Sequence, residues 1–430
     1  MKIVFKKPTQ KDFIKISLFL LSFIHPLFII LFLTFLMLDS LNSIENGLKG
    51  LILIAIRTII NPLIAIDIAS VQMFKYVAIF AISTLIILNS RNYKINYRVK
   101  NFIYLEILLC LYIVLDSIFF SSYPLVSIFK CFSYGYVFIC VVIGVSCTIK
   151  IVNWTDVLYR YLEKIILFSV ISIPFSFAYY SSAHWFRGIT NQSQMFAIMA
   201  SLFSAIVLLK MMSGNRNRSQ YFLMLIILVL TYLSGSRTGM LATSICLLYA
   251  YYVEVIKNKN ITLLFLSIIV GLLIFIFFSN SILEIIKDFM IKGDNNTATD
   301  ITMGTITASR EGQFTLFLEK MNTNKWFGTG FMVPYIKNMI QDWSFSFGLI
   351  VENGNILYSV LGDIGIIGFI LFSITYGYMF CVGEKRNGNF ILFLAPFVVC
   401  MGEMIFFSTN NNAIFIYMML SIFIVKKQIV

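Results

Sequence analysis

The sequence predicts an all-α, polytopic integral membrane protein of about twelve transmembrane helices with one large periplasmic loop. Three observations lead there. Of the 430 residues, 59% are hydrophobic and only 12% charged, about half the charge of an ordinary soluble domain. Mean hydropathy is +0.88. Apolar runs long enough to cross about 30 Å of hydrocarbon recur from one end to the other, and helices satisfy every backbone group there internally.

Taken in order, the run 16–38 is too long for a signal-peptide core and lacks a small-x-small cleavage site, so it reads as an uncleaved first span. The segment "GLILIAIRTIINPLIAID", 50–67, is apolar enough to cross. Its Arg57, Asn61-Pro62 and Asp67 suggest instead a re-entrant or interfacial helix on the outer side. Further runs lie at about 72–88, 102–120, 124–147, 162–180, 193–212, 219–234, 237–256 and 261–279, with Lys75, Asp116, Lys130 and Pro174 inside or beside them. A polar connection follows at about 281–350, containing a helical stretch from about Arg310 to Met321 and the turn "WFGTGF". The runs 353–380, 389–408 and 412–425 close the chain. No internal repeat or linker divides it, so 1–430 reads as a single integral-membrane domain.

Lysine and arginine placement sets the orientation. Lys2, Lys6, Lys7, Lys11 and Lys15 put the amino terminus in the cytoplasm. Counting from there, the cytoplasmic connections hold Arg91/Lys94/Arg98/Lys100, Lys150/Arg160/Lys164, Lys210/Arg216/Arg218, Lys257/Lys259 and Lys385/Arg386, with Lys426/Lys427 at the carboxy terminus. Both termini are therefore expected in the cytoplasm. This scatter of basic clusters also accounts for the net charge of +13 without a nucleic-acid partner. Seven cysteines in or beside apolar runs, an odd number without paired spacing, argue against a disulfide framework. With only His25 and His184 as histidines, no metal site is expected.

The charges that remain on the outer side are mostly arginines. In "TYLSGSRTGMLATS", 231–244, Arg237 opens a span behind Ser236, a plausible helix cap. A helix amino terminus is already partly positive, so a cation there suits an anion site; the alternative is a snorkelling arginine that marks the membrane surface. Arg187 lies in "AHWFRGITNQSQMFA" with Asn191, Arg310 in "TASREGQF", and Arg57 in the segment 50–67. Each alone suits a solvated loop. Together they suggest a polyanion at the outer leaflet, since the guanidinium fork matches phosphate oxygens. In "VENGNILYSVLGDIGIIGFILF", 351–372, Glu352 enters a span as either a membrane anchor or a general base, and Asp363 follows on the same helix. Gly362, Gly365 and Gly368 form a small-residue face for close helix packing.

In this order the motifs resemble the O-antigen polymerase (Wzy) and O-antigen ligase superfamily: Arg187-Gly188 with Asn191, then "GSRTGMLA", then Arg310 through "WFGTGF", then "ENGNILYSVLGDIGIIG". The ligase branch opens the last motif with a His-Asn pair. Here the matching stretch reads Gly354-Asn355, and the Glu352-Asn353-Gly354 entry is more similar to the polymerase branch. The resemblance implies a membrane glycosyltransferase of the bacterial inner membrane, its active face periplasmic, that needs no metal or other cofactor and joins undecaprenyl-pyrophosphate-linked repeat units. Its donor and acceptor are both lipid-linked glycans, and a chain-length regulator is an expected partner. Under it, Arg237 and Arg310 act on the leaving pyrophosphate and Glu352 is the base, while Arg187, Arg57, Asn191, Ser236 and Asn355 bind substrate. A ligase, or a flippase or transporter of lipid-linked oligosaccharide, is the alternative.

Overall fold

The structure is a computed structural model that describes residues 10–180, 184–214, 217–257, 311–334, 354–408 and 413–426. Among these the backbone is helical, and the only extended pairings are two isolated bridges. The helices are α1 (Gln10–Leu21), α2 (Pro26–Ser40), α3 (Ile44–Ile59), α4 (Gln72–Ser90), α5 (Tyr97–Phe120), α6 (Pro124–Thr148) and α7 (Trp154–Ile171). They continue as α8 (Ser193–Met212), α9 (Arg218–Leu233), α10 (Arg237–Tyr251), α11 (Glu311–Thr323), α12 (Ile356–Val382), α13 (Ile391–Gly402) and α14 (Ala413–Val425).

Six described helices are long and apolar enough to cross a membrane: α4, α5, α6, α8, α10 with its π-helical extension to Lys257, and α12. Four shorter apolar helices, α2, α9, α13 and α14, complete a polytopic membrane protein. The helices α8 and α14 are apolar around their whole circumference and almost wholly buried, as expected of central pillars. By contrast α5 exposes Leu108, Leu111, Leu115, Ile118 and Phe119, the signature of a face turned to lipid.

Several expected boundaries shift, each for a local reason. The run 16–38 is two helices, because His25 caps α2 through its side chain and Pro26 occupies the first turn. The run 389–408 stops at Gly402, where Glu403 turns extended. The segment 50–67 is not one helix confined to the outer end. Its first part belongs to α3, which runs antiparallel to α4 with Gly47 against Ile86 and Gly50 against Ile82. Pro62 then prevents α3 from continuing. The run 261–279 and most of the connection 281–350 lie outside the described residues.

Contacts sort the connections into two ends. At one end the α3–α4, α7–α8 and α9–α10 connections interlock, with Asn61 N donating to Ile189 O (2.9 Å), Asn191 N to Ile59 O (2.8 Å) and Phe186 N to Leu233 O (2.9 Å). At the other end Lys210 pairs with Asp156 at 2.8 Å, and Lys426 donates to Asn389 Oδ1 at 2.8 Å. Gly144 of α6 packs on Leu48 and Ile86, which brings the start of α3 and the end of α4 to this second end. Lys15 meets Asp39 at 2.6 Å, so α1 begins there too, and α14 finishes there.

Candidate functional site

The first end of the bundle carries most of the residues that the sequence singles out. Its frame is polar backbone held by a few side chains. Asn61, just past α3, accepts from Leu63 N (3.0 Å) and donates to Phe177 O (2.8 Å), closing the turn and tying it to the α7–α8 connection. Gly188 takes φ +57°, with Ser169 so close that an added Cβ would stand 2.5 Å from its hydroxyl. Gly235 takes φ +63° beneath the Trp185 ring, and a Cβ there would stand 2.1 Å from it.

Within this frame the arginines differ. Arg57 is 1% exposed: Nε donates to Ser22 Oγ (2.9 Å), and a terminal nitrogen donates to Ser22 O (2.9 Å) and Ile66 O (2.6 Å). It lies over the Phe23 ring at 5.3 Å. Arg57 thus faces protein groups within the bundle rather than projecting from it. It is a strut between the α1–α2 and α3–α4 turns, because carbonyls of both turns face its guanidinium. Arg187 is 8% exposed, donating to Phe177 O at 3.0 Å and Asn191 O at 3.4 Å, with Tyr180 beneath it at 5.5 Å. Burial pushes its guanidinium below the usual arginine range, while Tyr180 acts the other way. Asn191 presents a buried Oδ1 without a hydrogen-bond partner.

Arg237 is the first residue of α10. Ser236 caps the helix as expected, its Oγ accepting from Gly239 N at 3.3 Å. The site is crowded on two sides. Gly239 sits on Ala197 of α8, where a Cβ would stand 2.5 Å from the alanine Cβ, and Thr238 meets Gly402 at the end of α13. Trp185 contacts Gly235, so Arg187 and Arg237 belong to neighbouring turns of one layer. A half-buried guanidinium on a capped, partly positive helix terminus is an anion-binding arrangement.

The other part of this end is built from α11, the turn after it and the start of α12. Asn355 caps α12, accepting from Leu357 N at 2.8 Å, which leaves its side chain a structural task as well as the expected contact with substrate. Gly354 takes φ +65° against Gln313 of α11. Arg310 and Glu352 lie outside the described residues. Gly362, Gly365 and Gly368 do not form one packing stripe: Gly365, at φ +67°, breaks α12, and the Trp326 carbonyl fills the break. Sequence reasoning overlooked Lys320, whose ammonium meets Asp363 Oδ1 at 2.6 Å with both side chains buried. A lysine on a polar helix gives no local sign of its partner 43 residues away. Asp116, noticed only as a charge within a run, is buried with neither carboxylate oxygen hydrogen-bonded. Among the described residues no group of three or more His, Cys, Asp or Glu could hold a metal ion.

With this geometry in place, residues 222–373 match the family model described as O-antigen ligase, which runs from within α9 to Ser373 of α12. Over that stretch the chain is similar to the O-antigen polymerase and ligase superfamily. The superfamily match takes in Ser236, Arg237, Lys320, Asn355 and Asp363, together with Arg310 and Glu352, and leaves out Arg57, Arg187 and Asn191. It carries a polymerase or ligase class of function without separating the two. No curated protein and no solved structure matches the chain.

Proposed function

We infer that this protein is an O-antigen polymerase, a membrane glycosyltransferase that joins undecaprenyl-pyrophosphate-linked repeat units. The end of the bundle bearing Arg187 and Arg237 faces the periplasm, and the end bearing Lys210, Arg386 and Lys426 faces the cytoplasm. The observation that carries the choice of polymerase is the opening of α12. It reads Glu352-Asn353-Gly354-Asn355, and neither of the two histidines, His25 and His184, falls within 222–373. A ligase that uses histidine in its last motif has no such residue to use.

In this reading Arg237, on the amino terminus of α10, and Arg310 hold the donor pyrophosphate and stabilise the charge that it gains on leaving. Glu352 accepts the proton of the attacking sugar hydroxyl. Arg187 fixes the loop that presents Asn191, whose unpartnered oxygen suits a sugar hydroxyl. The test compares surface polysaccharide from cells carrying the parent protein, Arg237→Ala or Glu352→Gln at equal membrane abundance. Loss of long chains, with single repeats still attached to core lipid, is the expected result. Long chains that accumulate unattached would point to a ligase, and normal ladders in both variants would overturn the assignment.

A further inference from the structure

Lys320 is the buried residue of α11, a helix whose other twelve positions are half-buried or exposed. An amphipathic helix ordinarily buries its apolar side chains, so this inversion needs a reason. The lysine stem lies across Gly362, where an added Cβ would stand 3.2 Å from Lys320 Cδ. The ammonium reaches Asp363 Oδ1 at 2.6 Å. Asp363 Oδ2 accepts from Ser359 Oγ at 2.9 Å and Met332 N at 3.1 Å, so one carboxylate gathers α11, α12 and the turn between them.

That turn is itself driven into the bundle. Ile366 N and Ile367 N, freed by the break at Gly365, donate to Lys325 O (2.9 Å) and Trp326 O (3.2 Å). Phe331 N donates to Ser127 Oγ at 2.8 Å, Lys130 Nζ donates to Met332 O at 2.6 Å, and the Phe331 ring packs on Phe407 at 4.8 Å. The apolar contacts could exist in more than one register of α11. The ion pair cannot, because a slip of one residue would leave two buried charges unmatched. Removing water from both charges offsets most of their attraction, so such a pair adds little net stability over apolar side chains. What it supplies is rejection of alternatives.

We propose that Lys320 and Asp363 are positioning residues that fix the register of α11 on α12, and with it the entrance of α12, for glycan transfer. The consequence for transfer rests on the polymerase reading; the register itself does not. Phe317 and Tyr358 stack at 4.8 Å across the α11–α12 contact, so cysteines there report the register directly. Phe317→Cys/Tyr358→Cys, in a Cys381→Ser background that removes an exposed natural thiol, is treated in membranes with a short bis-maleimide. The same pair is then made with Asp363→Asn and with Lys320→Met/Asp363→Leu, the latter replacing both charges by apolar side chains, and membrane abundance is measured for each.

Both variants are expected to lose crosslinking several-fold. In the register variants without the reporter cysteines, long-chain product is expected to fall about tenfold to a hundredfold at membrane abundance equal to the parent. Crosslinking that survives in the apolar pair at normal abundance overturns the positioning role, whatever the product. Crosslinking lost with product unchanged supports the positioning of α11 and overturns the assignment of transfer to this end.

Discussion

Replacing Arg57 by methionine separates the two roles that an arginine in an apolar chain can hold. As a strut, its guanidinium satisfies the Ser22 and Ile66 carbonyls and lies over Phe23. Methionine fills comparable volume but donates nothing. Ser22 Oγ keeps its own bond to Phe19 O at 2.6 Å, so the orphaned groups are the two carbonyls. At about 1–3 kcal/mol for each of the two buried carbonyls, and about 1 kcal/mol for the lost ring contact, the variant is destabilised by about 3–7 kcal/mol. For a chain of this length that corresponds to a fall in thermal midpoint of about 3–8 °C. A thiol-reactive dye in detergent measures it, because Cys131, Cys140, Cys147, Cys246 and Cys400 are buried until the bundle opens. Arg57→Lys recovers only part of the loss, since one ammonium cannot reproduce the fork that spans both turns. An unchanged midpoint with product abolished would refute the strut and return Arg57 to the substrate site.

Two further outcomes follow from local geometry. Gly365→Ala places a Cβ 2.3 Å from the Trp326 carbonyl at a φ of +67°, so it should sharply lower membrane abundance and thermal midpoint, whereas Gly377→Ala on the same helix, with nothing within 4 Å, should leave both unchanged. Asn191→Leu removes a buried unpartnered oxygen, so stability should hold or rise by about 1 kcal/mol while long-chain product is lost; a fall in both would assign Asn191 to folding instead.

Much of the fold was legible because hydrophobic runs and caps are local. Proline at 124 and the polar stretch before Ser193 bound their helices to within a residue of the expected edges. The run 16–38 misled because its composition is uniformly apolar, and only the His25-Pro26 pair records the break. The segment 50–67 misled for another reason. Arg57 looked like a surface marker, but a charge can enter a packed helix when two turns bring carbonyls to it. The candidate site was legible as a list of loops. Ser236 as a cap was correct, while Asn355 proved to be a cap in addition.

By itself the sequence determined the class of molecule, many of its described helical segments, the arginine turn that opens α10 and the acidic stretch before α12. These depend on the order of side chains within a few residues of one another, where spacing and composition act directly. Only the tertiary structure decided which charges are already used. Arg57 and Lys320 are consumed by partners 35 and 43 residues away, and Asp116 and Asn191 are left with buried oxygens unmet. Whether a polar group is satisfied depends on what the rest of the chain brings within about 3 Å of it, and no local pattern of residues records that.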